Sequence, residues 1–164
     1  MTGLDAIGEL DIARRLIKLL NMCRTDDQVE THTRPCTAEN MPACLEAIKA
    51  IREHKLARAV LPAGMADEVA ARLLSVLNTN SHELGEWGGS GFFLLACLME
   101  HSCRPNCAFN TSGTDLWVTV VQPVPAGAPL SIDYTDSVFE PAAARVAHLE
   151  ASYGFCCTCA LCTR

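Results

Sequence analysis

Apolar residues recur through the first part of the chain at the three- and four-residue spacing of amphipathic helices. Over residues 10–23, Ile12, Leu16, Leu19, Leu20 and Cys23 form one stripe, with Asp11, Arg14, Arg15 and Lys18 largely opposite. The polar stretch 24–35 reads as a loop. A second helix is predicted over residues 42–54, with Leu45, Ile48 and Ile51 inward, Asn40 as cap and Pro42 in the first turn. A third is predicted over 66–77, with Val69, Leu73, Leu74 and Leu77 on one side and Asn78, Asn80 and Gly85 as breakers. The pattern then changes. Residues 86–90 read as a glycine-rich turn, and 91–99 are apolar without a period that separates helix from buried strand. Residues 116–121 are rich in β-formers and predict a strand. Three prolines and a glycine make 122–129 a turn region. Residues 130–134 alternate, Leu130, Ile132 and Tyr134 against Ser131 and Asp133, which predicts a short half-buried strand. Residues 141–152 predict a helix opened by Pro141 and ended by Gly154.

The chain has 164 residues, one domain by length. Apolar residues make up 49% and charged residues 20%, enough apolar content to exclude a fully disordered chain. Lys and Arg number 13 against 19 Asp and Glu, a net charge of −6. That balance argues against a protein that grips nucleic acid backbones and favours basic peptides as partners. No apolar run is long enough to span a bilayer, and the first 15 residues lack a basic-then-apolar leader. The expectation is an intracellular protein, nuclear or cytoplasmic, without membrane attachment.

Ten cysteines bear on the chemistry. Without a leader, metal ligation or reduced thiols outweigh disulfides. Cys23, Cys36, Cys44 and Cys97 are scattered and read as small buried hydrophobes. The other six fall in two clusters, Cys103/Cys107 and Cys156/Cys157/Cys159/Cys162. The C-x-C-x-x-C run from Cys157 to Cys162 can curl three thiolates around one Zn²⁺, with a fourth ligand from elsewhere. Spacing alone does not choose between Cys103 and Cys107, or between Cys156 and Cys157. His32, His54, His82 and His148 read as solvated, Trp87 as surface and Trp117 as core.

Three ordered segments carry a resemblance. Residues 100–107, Glu-His-Ser-Cys-Arg-Pro-Asn-Cys, resemble the N-H-S-C-x-P-N signature of SET-domain protein-lysine methyltransferases. Residues 125–134, Pro-Ala-Gly-Ala-Pro-Leu-Ser-Ile-Asp-Tyr, resemble that family's strand-turn-strand. Residues 153–162, Tyr-Gly-Phe-Cys-Cys-Thr-Cys-Ala-Leu-Cys, resemble its post-SET ending, preceded by an R-x-x-x-L-x-x-x-Y segment from Arg145 to Tyr153. The combination is most similar to the SET-and-MYND subfamily, with Asn80-Ser81 matching an Asn-Ser pair ahead of the signature. The fold implied is α+β: a helical N-terminal half, then the small-stranded C-terminal half of a SET domain with a zinc-bound post-SET tail. Residues 1–78 would resemble a SET insert, 79–138 the C-terminal SET core, and 139–164 the post-SET helix and tail.

The resemblance implies S-adenosylmethionine as methyl donor and a lysine-containing protein or peptide, such as a histone tail, as substrate. Tyr134 would be the catalytic tyrosine. Asn80, Glu100, His101, Tyr134 and Phe155 would contact the cofactor, and Tyr153 would line the lysine channel. Cys103, Cys157, Cys159 and Cys162 would bind a structural zinc, leaving Cys107 and Cys156 as spectators. Glu100 stands where the family has Asn, exchanging an amide that donates and accepts for an acceptor-only carboxylate. The Gly-rich N-terminal SET strand pair and the MYND finger have no counterpart here. The resemblance therefore leaves three states open: a truncated product, a chain completed by another polypeptide, or a degenerate relative. The rival functional classes are a catalytically inactive SET-like zinc-binding interaction module and a thiol redox protein.

Overall fold

A computed structural model describes residues 14–16, 18, 37–54, 58, 61–85 and 89–163. They divide into two compact units, 1–80 and 81–164.

The first unit is helical. Residues 14–16 and 18 are helical with Leu16 buried, while the rest of the stripe expected over 10–23, the loop 24–35, and Cys23, His32, Cys36 and Trp87 lie outside the described residues. Helix α1 spans Met41–Glu53, and Pro42 occupies its first turn, where a missing N–H costs nothing. Cys44, Ile48 and Ile51 are buried at i, i+4 and i+7, and Leu45 beside them is half-buried. Helix α2 spans Asp67–Asn80, with Asp67 and Glu68 in its first turn, where the helix dipole favours negative charge. Arg52 of α1 donates to the Asp67 carboxylate and to the Met65 carbonyl, tying the connection between the helices.

Two expectations for α2 are corrected. Asn78 and Asn80 do not break the helix, because Asn80 turns its amide back onto the Val76 carbonyl at 2.8 Å and the last turn closes around it. Val69 is 50% exposed, because the buried stripe runs through Ala70, Leu74 and Leu77 and leaves Val69 at its rim.

The second unit is built from pairs of short strands. Strands β1 (Ser81–Glu83) and β2 (Ser90–Phe92) pair antiparallel. The apolar stretch 91–99 is neither one helix nor one strand. It begins in β2, turns, and forms a 3₁₀ segment at Ala96–Leu98. Strands β3 (Glu100–His101) and β6 (Ser131–Ile132) pair in parallel, with Glu100 opposite Ser131 and His101 opposite Ile132. Parallel strands need a long crossover. Here the crossover contains the hairpin of β4 (Cys107–Ser112) and β5 (Asp115–Val120), the former not anticipated from the sequence. Gly113, at φ 59°, opens the two-residue turn of that hairpin, where a side chain would be strained.

Helix α3 spans Ala142–Tyr153 and stops at Gly154, which adopts φ 74° as a left-handed cap and donates its N–H to the Glu150 carbonyl. Two small cores result. One joins Met99, Cys107 and Ile132; the other joins Cys103, Leu149 and Cys157; Tyr134 packs against both.

Two side chains depart from expectation. Trp117 is 64% exposed, because it lies on the hairpin face shared with Asn110 rather than on the face carrying buried Cys107. His82 is half-buried, not solvated, with the rings of Phe93 and Phe109 edge-on at 6.1 and 4.8 Å. His54 is half-buried and His148 exposed.

Candidate functional site

The site grows from the bend after β3 and from the segment that follows α3. Asn106 holds the bend. Its side-chain carbonyl accepts from Ser131 N–H at 2.8 Å, its amide donates to the Pro129 carbonyl at 2.9 Å, and its own carbonyl accepts from Val121 N–H at 2.8 Å. One side chain thus anchors the crossover to β6 and fixes where Cys103 and Cys107 point.

They point apart. Cys107 enters the apolar core with Met99 and Ile132. The Cys103 sulfur meets those of Cys157, Cys159 and Cys162, all four within 4.8 Å of one another. The Cys103 sulfur lies 3.9 Å from that of Cys157 and 3.5 Å from that of Cys162. Both are far beyond a disulfide bond, and all four thiols are free. A tetrahedral Zn²⁺ with sulfurs at about 2.3 Å would space them by about 3.8 Å. Cys156, next in sequence, is exposed. The knuckle is closed by turns, with Cys162 N–H and Thr163 N–H both donating to the Cys159 carbonyl at 2.9 and 3.1 Å.

Arg145 places a cation against the cluster. Its side chain, in a residue only 5% exposed, donates Nε–H to the Cys103 sulfur and Nη2–H to the Cys162 sulfur, each at 3.4 Å. It also donates to the carbonyls of Leu161, at 3.0 Å, and Glu140. A buried guanidinium needs a counter-charge, and thiolates on a metal provide one. Four thiolates with Zn²⁺ carry a net −2, which one guanidinium halves. The donor set therefore fits a structural zinc with all four positions filled by protein. Without metal, burial pushes the Cys103 thiol up to about 12. Burial would raise Cys159 as well, but surrounding N–H donors, that of Leu161 foremost, bring it down to about 6.

Four rings cluster beside the thiols. Tyr134 stands 5.1 Å from Tyr153, 5.3 Å from His101 and 6.5 Å from Phe155, the last pair edge-on. Phe155 also lies 5.9 Å from His101 and 6.3 Å from Tyr153. Gly154, between Tyr153 and Phe155, makes the turn that brings both rings to the same side. The Tyr134 hydroxyl donates to the Met99 carbonyl, and the Tyr153 hydroxyl donates to the Tyr134 carbonyl at 3.3 Å. Burial raises the Tyr153 pKa, with Asp133 adding to the rise, so this hydroxyl stays protonated at neutral pH. Burial lowers the His101 pKa against the pull of Asp133, which keeps the ring neutral.

Of the residues singled out in sequence, His101, Tyr134, Tyr153 and Phe155 are thus brought together, as are the four cysteines. Glu100 is adjacent in chain but its side chain is exposed. Asn80 closes the first unit, with its amide turned onto Val76. Spacing and composition assign no role to Arg145, Asn106 or Met99. Arg145 lies in the R-x-x-x-L-x-x-x-Y segment and Asn106 in the signature, so position in a motif was the available signal for both.

The family model described as SET domain matches residues 13–135, so the match reaches back into the helical unit. Over 75 residues the chain is 37% identical to N-lysine methyltransferase SMYD2-B of Xenopus laevis and to N-lysine methyltransferase SMYD2 of Homo sapiens. Each match takes up 46% of this chain and 17% of the relative, so the chain covers a small part of these curated relatives.

Proposed function

The chain belongs to the SET-domain family, and from that premise we propose that it acts as an S-adenosylmethionine-dependent protein-lysine N-methyltransferase with a structural zinc. The observation that carries the reading is the convergence of Tyr134, Tyr153, Phe155 and His101 on one cluster beside four convergent thiols. S-adenosylmethionine, when bound, supplies a methyl group on a sulfonium. The residues of the chain do the rest.

Methyl transfer to an amine is an in-line displacement, so alignment and exclusion of water are the main tasks. The faces of Tyr134, Tyr153 and Phe155 suit both a sulfonium and a lysine ammonium. An apolar aromatic surround lowers the lysine pKa and releases the neutral amine that attacks. The Tyr134 hydroxyl, which spends its proton on the Met99 carbonyl, presents oxygen as an acceptor that orients an amine N–H. Cys103, Cys157, Cys159 and Cys162 would hold the zinc, and would thereby fix the segment bearing Tyr153 and Phe155 against β3 and β6. The net charge of −6 suits a basic peptide, a histone tail being one such substrate.

The second reading is a non-catalytic zinc-dependent interaction module. Glu100 favours it, an exposed carboxylate where the family has a cofactor-binding Asn. Calorimetric titration of the zinc-loaded protein with S-adenosylmethionine separates the two. Saturable binding, tightened in Glu100→Asn, supports the enzyme; no binding by either folded protein leaves the module.

A further inference from the structure

His101 is placed between the two halves of the site. Its side chain is fully buried. Nε2 lies 3.3 Å from the Cys103 sulfur, and Nδ1 lies 3.2 Å from the backbone nitrogen of Tyr134. The ring meanwhile contacts the rings of Tyr134 and Phe155. Main-chain pairing adds to the link, since His101 sits opposite Ile132 in the parallel ladder, two residues before Tyr134.

These contacts choose a tautomer. The Tyr134 N–H can only donate, so Nδ1 must be the acceptor and carries no proton. The Asp133 carboxylate, 3.7 Å from Nδ1, is too distant to draw a proton there by hydrogen bonding, and its Oδ1 already accepts from Thr135 N–H and Thr135 Oγ1 at 3.0 Å. The ring proton is then on Nε2, aimed at the Cys103 sulfur. A metal-bound thiolate is a good acceptor for it; a buried neutral thiol is a weak one.

We infer that His101 is a positioning residue that couples the metal knuckle to the methyl-transfer tyrosine: Nε2–H holds the Cys103 thiolate while Nδ1 holds the backbone of Tyr134. Through this ring the zinc knuckle holds the Tyr134 N–H, beside the ties of its carbonyl to Tyr153 and of its hydroxyl to Met99. The inference rests on the zinc reading of the cysteine cluster and deepens the role given to Tyr134, without requiring that methyl transfer occur. It also differs from a simple cofactor contact, because both ring nitrogens are engaged by protein.

Long-range proton–nitrogen NMR of the zinc-loaded protein tests it directly. We expect His101 to show a protonated Nε2 and an unprotonated Nδ1 near neutral pH. In cadmium-substituted protein, the Nε2 proton should couple to the metal through the Cys103 sulfur. A proton on Nδ1, or no coupling, overturns the inference. Hydrogen exchange supplies a second readout. The Tyr134 amide should exchange roughly tenfold faster in zinc-loaded His101→Phe. His101→Gln, which keeps a donor and an acceptor, should recover part of that protection. An unchanged Tyr134 amide in His101→Phe also overturns it. Neither readout uses S-adenosylmethionine, so failure of the methyltransferase reading leaves both intact.

Discussion

Replacing Arg145 tests the proposed charge of the cysteine cluster. In Arg145→Met the stem volume is kept and the guanidinium is lost. Two N–H···S contacts at 3.4 Å disappear, and the carbonyls of Leu161 and Glu140 lose a donor inside a buried helix–knuckle junction. Zinc with four thiolates then retains its full net −2 without a nearby cation. Loss of a group that hydrogen-bonds to metal ligands typically weakens metal affinity by about 10–100-fold. Arg145→Lys keeps the charge but cannot reproduce the planar fork that reaches two sulfurs at once. It should fall between wild type and Arg145→Met. Competition for zinc with a chromophoric chelator, at fixed pH and with helix content checked by circular dichroism, measures the ratio. Wild-type affinity in folded Arg145→Met, within about twofold where a loss of about tenfold or more is expected, would refute the idea that this guanidinium balances a thiolate cluster.

Other outcomes follow from the same structure. Leu149 is fully buried between Cys103 and Cys157, so Leu149→Ala should destabilise zinc-loaded protein by about 2–5 kcal/mol in denaturant titrations. Chelation should release α3 and the tail from the rest of the unit, read as faster amide exchange from residue 142 onward. Zinc affinity should rise with pH as bound protons are displaced, steeply where Cys157 and Cys103 must ionise, since burial pushes both thiols up. For His82, burial lowers the folded pKa below 6.5, so the unfolded state takes up the proton first. Its contribution is full above pH 6.5 and is lost as pH falls through the lowered value. His82→Leu should therefore flatten stability against pH in that acidic window.

The helical faces were legible because burial repeats with the helix. Ile48 and Ile51 fall where the spacing puts them, and Cys44 joins that stripe as the small hydrophobe it was read to be. Position at a rim is not legible, and period alone puts Val69 inward where it is half exposed. The same limit misplaced Trp117. Alternation along β5 distinguishes two faces of the hairpin but not which one is covered, and cover comes from residues distant in sequence. Asn78 and Asn80 were read by their turn propensity, which a backward hydrogen bond to Val76 overrode at the helix end. In the site, four-residue spacing could not separate Cys103 from Cys107. Their separation depends on Asn106 fastening the bend to β6, a tertiary fact. The ring cluster is legible only through motif resemblance, because Tyr134 and Tyr153 are 19 residues apart and meet only when α3 packs back, while Gly154 turns Phe155 to the same side.

The central claim is that Tyr134 stands at a methyl-transfer centre. The most direct measurement is transfer of a radiolabelled methyl group from S-adenosylmethionine to lysine-containing basic peptides, using zinc-loaded wild type and Tyr134→Phe. The account predicts label on lysine with wild type and a loss of about 100-fold or more in Tyr134→Phe, the scale of a positioned hydrogen-bonding group, with S-adenosylmethionine binding retained. Label transferred equally well by Tyr134→Phe, or none transferred by wild type that binds S-adenosylmethionine, would contradict it.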